Sequence, residues 1–229
     1  MWQDFYILRK NKNMNVIVTG ATGYVGEGVL LECLNNPRVD KVLSVSRKHC
    51  GHIHPKLEEY LVRDFMSLKA GDPRLQGYDA VFFCAGMSSV GVKEDVYKGI
   101  SHDIPLHFAQ ILEPKDKITF VYVSGAGNYN HTDQMWVRVK KSTEDSLTKM
   151  KFKGAYNFRP AIMWRYKGQI HIQKMQYVFW ALFPVFKLLG LWNTMSEVGR
   201  AMIAVSEKGY PRHEIEVRDI SILSEELKA

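Results

Sequence analysis

A β-branched run, Asn15-Val16-Ile17-Val18-Thr19, ends directly on spaced glycines at Gly20, Gly23 and Gly26, and from Tyr24 to Leu34 apolar residues recur at helical spacing. Such a run suits a strand buried on both faces of a parallel sheet. Gly20 can turn the strand sharply, Gly23 lets backbone approach a ligand without a Cβ, and Gly26 lets the helix pack closely on the sheet. The free N–H groups at the helix start, with the positive end of its dipole, then face an anion. The turn Gly20, Thr22, Gly23, Tyr24, Val25 and Gly26 is therefore expected to hold the pyrophosphate of a dinucleotide.

The ribose of such a ligand is read at the end of the next strand, here 41–46, where an NAD site carries an acid. Ser46, Arg47 and Lys48 stand there instead. They offer donors and positive charge, suited to a 2′-phosphate, so NADP is expected in preference to NAD. The plainer alternative is that Arg47 and Lys48 end a strand at a solvated edge. Further strands are expected at 60–63, 80–84, 118–123 and 155–158, and helices at 92–100, 105–112 and 133–150. This alternation predicts an α/β fold with a doubly wound, mainly parallel sheet. The domain is expected over 14–229, with 160–229 forming a small C-terminal lobe and 1–13 an N-terminal extension. Right-handed crossovers would gather Gly20, Ser46, Asp64, Cys84 and Ser124 along one rim.

The segments Thr19-Gly-Ala-Thr-Gly-Tyr-Val-Gly26, Asp64-Phe65, Cys84-Ala85-Gly86, Ser124-Gly125-Ala126-Gly127, Lys140 and Arg159-Pro160 resemble, in order and spacing, the landmarks of the short-chain dehydrogenase/reductase superfamily. The resemblance covers residues 15–160 and is greatest to the atypical branch related to nucleoside-diphosphate-sugar epimerases and NAD(P)-binding regulators. A helix at 198–205 is similar to that branch's late helix. The resemblance implies a Rossmann-type sheet, with Asp64 and Phe65 at the adenine and Cys84, Ala85 and Gly86 beside the ribose and pyrophosphate. It also implies Lys140 at the nicotinamide ribose and Ser124 at a substrate carbonyl. Asp64 as a strand-end cap and Cys84 as a core thiol are the plain alternatives.

Active members of that superfamily carry a tyrosine four residues before the lysine, whose charge lowers the phenol's pKa. Trp136 stands in that place. The spacing puts Trp136 and Lys140 on one helix face, but an indole N–H only donates and cannot relay a proton. Tyr129 and His131, in the loop after Ser124, are candidate replacements, Tyr129 first, set against the reading that both are plain loop residues. Two functions follow. One is an NADP-dependent oxidoreductase or epimerase-like enzyme acting on a small carbonyl or sugar-derived substrate, with Ser124, Lys140 and Tyr129 catalytic. The other is a dinucleotide-sensing regulator or interaction protein. Trp136 favours the second, Ser124 and Lys140 the first.

With 46% hydrophobic residues among 229, the chain can bury a core. Its net charge of +7 draws on Arg138, Lys140, Lys141, Lys149, Lys151 and Lys153. No interleaving of aromatic and basic residues marks a nucleic-acid groove, so a solvated helix is expected there and no nucleic-acid partner. Three scattered cysteines and the lack of a secretory start predict a reducing, cytoplasmic protein. His49-Cys50-Gly51-His52-Ile53-His54 matches no familiar zinc spacing, and no metal is expected. The apolar stretch 177–192 is interrupted by Pro184 and Lys187 and is too short to span a bilayer. It is expected to form a helix pair capping the cofactor cleft, with a homodimer contact or a membrane-surface foot as alternatives.

Overall fold

Strand β1, Met14–Thr19, runs into helix α1, Tyr24–Asn35, through the glycine turn; three strands then follow with no α-helix between them, and from residue 94 to 159 helices and strands alternate. The computed structural model describes residues 13–125, 133–172, 174–181 and 183–227. After α1 come β2 (Val39–Ser46), β3 (Leu57–Leu61), β4 (Ala80–Phe83), α2 (Glu94–Lys98), α3 (Ile104–Ile111), β5 (Thr119–Val123), α4 (Met135–Thr148) and β6 (Gly154–Arg159). A short β7 (Ile162–Trp164), helices α5 (Lys174–Ala181) and α6 (Phe183–Leu188), and β8 (Trp192–Thr194) follow. The chain closes with α7 (Met195–Lys208), β9 (Glu214–Glu216) and α8 (Val217–Glu225). The central sheet has the order β3-β2-β1-β4-β5-β6-β9 and is parallel throughout.

Alternation along the strands divides the core between the two faces of this sheet. Val16, Val18, Ala80, Phe82, Val121 and Phe158 face α1, α7 and α8, meeting Val29, Leu30, Val198, Met202 and Ile220. Ile17, Leu43, Val81, Phe83, Phe120 and Tyr122 face the other layer, where Phe108 of α3 and Leu147 of α4 close over them. Phe83 and Phe120 stack with centroids 6.0 Å apart. This is the expected doubly wound α/β architecture.

Several boundaries differ from expectation. The strand expected at 60–63 lies at Leu57–Leu61, in register with Val42 to Ser46 of β2. The helices expected at 92–100 and 105–112 are one continuous run, in which α2 passes through a π turn at Gly99–Asp103 into α3. The wider turn falls just before Pro105, which has no N–H to return to a carbonyl. Residues 160–229 split between two places. β9 pairs with β6, and α7 and α8 cover the central sheet, while β7 and β8 make their own two-stranded parallel pair beside α5 and α6.

A buried ion cluster pins the late elements. Arg159, at the end of β6 and 9% exposed, bonds both carboxylate oxygens of Glu144 on α4 and reaches Glu216 of β9 at 2.9 Å. Removing one member would strand a buried charge, which is far more costly than the pair is stabilising. The cluster fixes α4 against the sheet, and with it Lys140.

Candidate dinucleotide site

Gly20 leaves β1 with φ +73°, and a Cβ there would stand 2.7 Å from the Ala85 nitrogen. Only glycine fits, because both the left-handed backbone and the contact with the β4 exit forbid a side chain. The Gly23 N–H closes the turn on the Gly20 carbonyl at 2.9 Å. A Cβ on Gly26 would fall 2.2 Å from that same carbonyl oxygen, and one on Gly23 3.3 Å from it. The third glycine thus makes room for the turn itself rather than for helix-on-sheet packing as expected, and the second sits tightly against the same carbonyl. Gly23 stands at the N-cap of α1 and makes no side-chain cap hydrogen bond to the first turn.

The turn opens onto a cleft of about 600 Å³ at the C-terminal rim of the sheet, between Gly20, Thr22 and Gly23 on one side and Cys84, Ala85, Gly86 and Met87 on the other. Ser46, Arg47, Arg63, Asp64 and Phe65 line one end, and Ile100 and Ile104 complete the wall. Ten of the expected residues thus share one cavity: Gly20, Thr22, Gly23, Ser46, Arg47, Asp64, Phe65, Cys84, Ala85 and Gly86. Gly26, Val25, Lys48, Tyr24, Ser124 and Lys140 do not line it.

Their surroundings show why. Tyr24 turns its ring away: its hydroxyl donates to the Met163 carbonyl at 2.7 Å, and burial pushes its pKa up to about 12. Val25 packs on the core. The hydroxyl of Ser46 donates to the Lys48 carbonyl at 2.6 Å, so it closes a strand-end turn. The Asp64 carboxylate accepts from the Met66 N–H at 2.9 Å and caps a short 3₁₀ turn, the plain alternative for that residue. Phe65 packs on Phe108 at 5.9 Å while keeping an edge on the cleft. Burial pushes the Cys84 thiol upward, which keeps it protonated.

Two further residues, of which the sequence predicts no role in the site, contribute to it. Thr19, fully buried, accepts from both the Cys84 and Ala85 N–H groups at 3.1 Å and so ties the β1 exit to the β4 exit. Its partners lie 65 and 66 residues away, and a threonine ending a strand carries no local signal for them. Arg63 lines the cleft with Arg47; both are exposed, and among the described residues neither has an ion-pair partner. Its position just before Asp64 was a readable signal, had the strand been ended at Leu61.

Beyond the cleft, Lys140 of α4 donates to the Val123 carbonyl at 3.3 Å and lies 5.3 Å from the centre of the Tyr122 ring. Burial pushes its ammonium down to about 8, against the pull of Glu144. Ser124 is buried at the β5 exit, where its N–H donates to the Phe158 carbonyl at 2.8 Å. The Trp136 indole donates to the Gln134 side chain at 2.6 Å. Tyr129, His131, Ala126 and Gly127 lie outside the described residues, as does the extension up to residue 12. In the histidine-rich segment, His49 pairs with Glu59 and His52 with Glu27, each at 2.7 Å. The two rings serve different carboxylates.

No protein-family model matches the chain. Among solved structures, UDP-glucuronic acid 4-epimerase from Bacillus cereus, in complex with NAD, superposes with a TM-score of 0.66 over 89% of this chain and 76% of its own, at 14% identity. The chain shares the Rossmann-like α/β fold of that epimerase. In sequence, the rat Protein HTATIP2 is 25% identical over 157 residues, which is 67% of this chain and 64% of the rat protein. Protein FMP52, mitochondrial, from Candida glabrata is 25% identical over 149 residues, 64% of this chain and 63% of that protein. The matched part of the chain thus spans a little under two thirds of these relatives' length. The mitochondrial designation of the yeast relative overturns the expectation of a cytoplasmic protein.

Proposed function

We propose that the protein binds NADP in this cleft and uses it as an oxidoreductase or epimerase-like enzyme on a small carbonyl or sugar-derived substrate. The observation that carries the cofactor assignment is the pair Arg47 and Arg63, exposed guanidinium groups without an ion-pair partner among the described residues, at the cleft end away from Met87. A nearby acid would select the 2′-hydroxyl of NAD. Asp64 is the acid there, and its carboxylate is already held by the Met66 N–H. The uncapped start of α1 and the side-chain-free turn at Gly20 suit a diphosphate.

Bound NADP supplies a nicotinamide that accepts or gives a hydride. The chain's own residues do the rest. Beyond the cleft, Lys140, whose ammonium is partly desolvated, would hold the nicotinamide ribose hydroxyls, Ser124 would donate to the substrate carbonyl, and Tyr129 would supply the proton that Trp136 cannot. A sensing role, without turnover, is favoured by one observation alone: the Trp136 indole is held by Gln134 in the place of a proton relay.

Arg47→Ala with Arg63→Ala tests the cofactor assignment. It is expected to weaken NADPH binding by tenfold or more, on the order of one charge-assisted hydrogen bond lost, and to leave NADH binding unchanged. An equal loss for both cofactors would contradict it. A screen of carbonyl substrates, followed by nicotinamide absorbance, separates the enzyme from the sensor. Turnover abolished by Tyr129→Phe supports the enzymatic roles; tight binding without turnover on any substrate supports the sensor.

A further inference from the structure

Between Arg159 and Glu197 the chain has no Asp or Glu, yet it carries Arg165, Lys167, Lys174 and Lys187. The same stretch holds three of the five tryptophans, Trp164, Trp180 and Trp192. Their rings form one connected group. Trp164 lies 5.5 Å from Trp180 and 4.6 Å from Phe183, Tyr177 lies 5.2 Å from Trp180, and Phe183 lies 5.1 Å from Trp192. Cations sit on this group, with the Arg165 guanidinium 5.4 Å from the Trp180 ring and the Lys187 ammonium 5.9 Å from that of Trp192. Apolar side chains stand open beside it: Leu188 is 88% exposed, Leu189 61% and Tyr177 59%.

We propose that this face, built on β7, α5, α6 and β8, docks the protein onto an anionic lipid bilayer. Three chemistries coincide there. Tryptophan and tyrosine partition to the headgroup level, exposed leucines bury in the outer acyl region, and lysine and arginine are drawn to anionic headgroups. The face binds the surface and does not cross it: no helix among the described residues is long and apolar enough to span a membrane. A second copy of the chain fits worse. A two-fold dimer would lay the face on itself, opposing Arg165 and Lys187 with their own copies and no acid from this stretch to neutralise them. The inference stands apart from the cofactor assignment, since none of these residues lines the cleft.

Vesicle flotation of the full chain tests it, with phosphatidylcholine vesicles compared against phosphatidylcholine doped with phosphatidylserine. The protein is expected to float with the doped vesicles only, and to be released by added salt. Arg165→Gln with Lys187→Gln is expected to weaken the association about fivefold for each cation removed. Leu188→Ser with Leu189→Ser should weaken it too, with thermal melting unchanged because both side chains are exposed. Should a variant fail to fold, the lipid and salt dependence of the unaltered protein still decides. Flotation with neither vesicle, or equally with both, would overturn the proposal. So would a dimer in sedimentation that the leucine variant dissolves, since that assigns the face to a second copy.

Discussion

Gly20 concentrates the whole site in one backbone conformation. A methyl group there must adopt φ +73° and displace Ala85 backbone, whereas Gly77, at φ +81°, faces open space. Gly20→Ala is therefore expected to cost more than the roughly 1 kcal/mol of backbone strain that Gly77→Ala costs, and to abolish dinucleotide binding as well. Chemical denaturation and calorimetric titration of the two variants, side by side, check both parts. Lys140 gives a prediction in pH. Its ammonium titrates near 8 when folded and near 10.5 when free, so between these values the unfolded chain holds more protons and stability rises with pH. Lys140→Met should flatten that rise in a series of melting curves taken across the window. A slope that survives the substitution would assign it to another group.

The helices and strands were legible where a segment's own residues decide its state. Val16 and Val18 alternate with Ile17, and the strand is buried on both faces as that run implies. Partners far along the chain were not legible. Glu27 read as one more residue of α1, yet it is fully buried and accepts from His52 at 2.7 Å and from the Ile170 and His171 N–H groups at 2.7 Å each. Gln169 adds a hydrogen bond to the Tyr24 carbonyl at 2.7 Å. Segment 163–171 is thus strapped onto the first turn of the helix that opens on the cleft. Within the histidine-rich stretch, His52 alone serves this carboxylate, while His49 pairs with Glu59. Glu27→Ala leaves two backbone donors and a histidine without their acceptor, and is expected to destabilise the fold by about 3 kcal/mol. A loss under 1 kcal/mol in denaturant titration would show that water replaces the carboxylate. β9 escaped notice for a related reason: Glu214-Ile215-Glu216 buries only Ile215, and its strand state comes from pairing with β6.

At the scale of the molecule, the sheet order brings the β1, β2, β3 and β4 exits to one rim, and most of the expected site follows from that topology. The residues that fell outside the cleft were those assigned by position in a motif rather than by side-chain direction: Tyr24 points into the strap, and Lys48 gives its carbonyl to Ser46. Arg63 came into the cleft because β3 ends earlier than its apolar run suggested, which leaves 62–64 free to turn over the rim. The two arginines make that part of the cleft positive, and the proposed NADP preference rests on them. The measurement that bears most directly on this account is calorimetric titration of the unaltered protein with NADPH and with NADH. Saturable binding of both is expected, tighter for NADPH by about tenfold or more. Equal affinities would contradict the role of Arg47 and Arg63, and no binding of either would contradict the dinucleotide site itself.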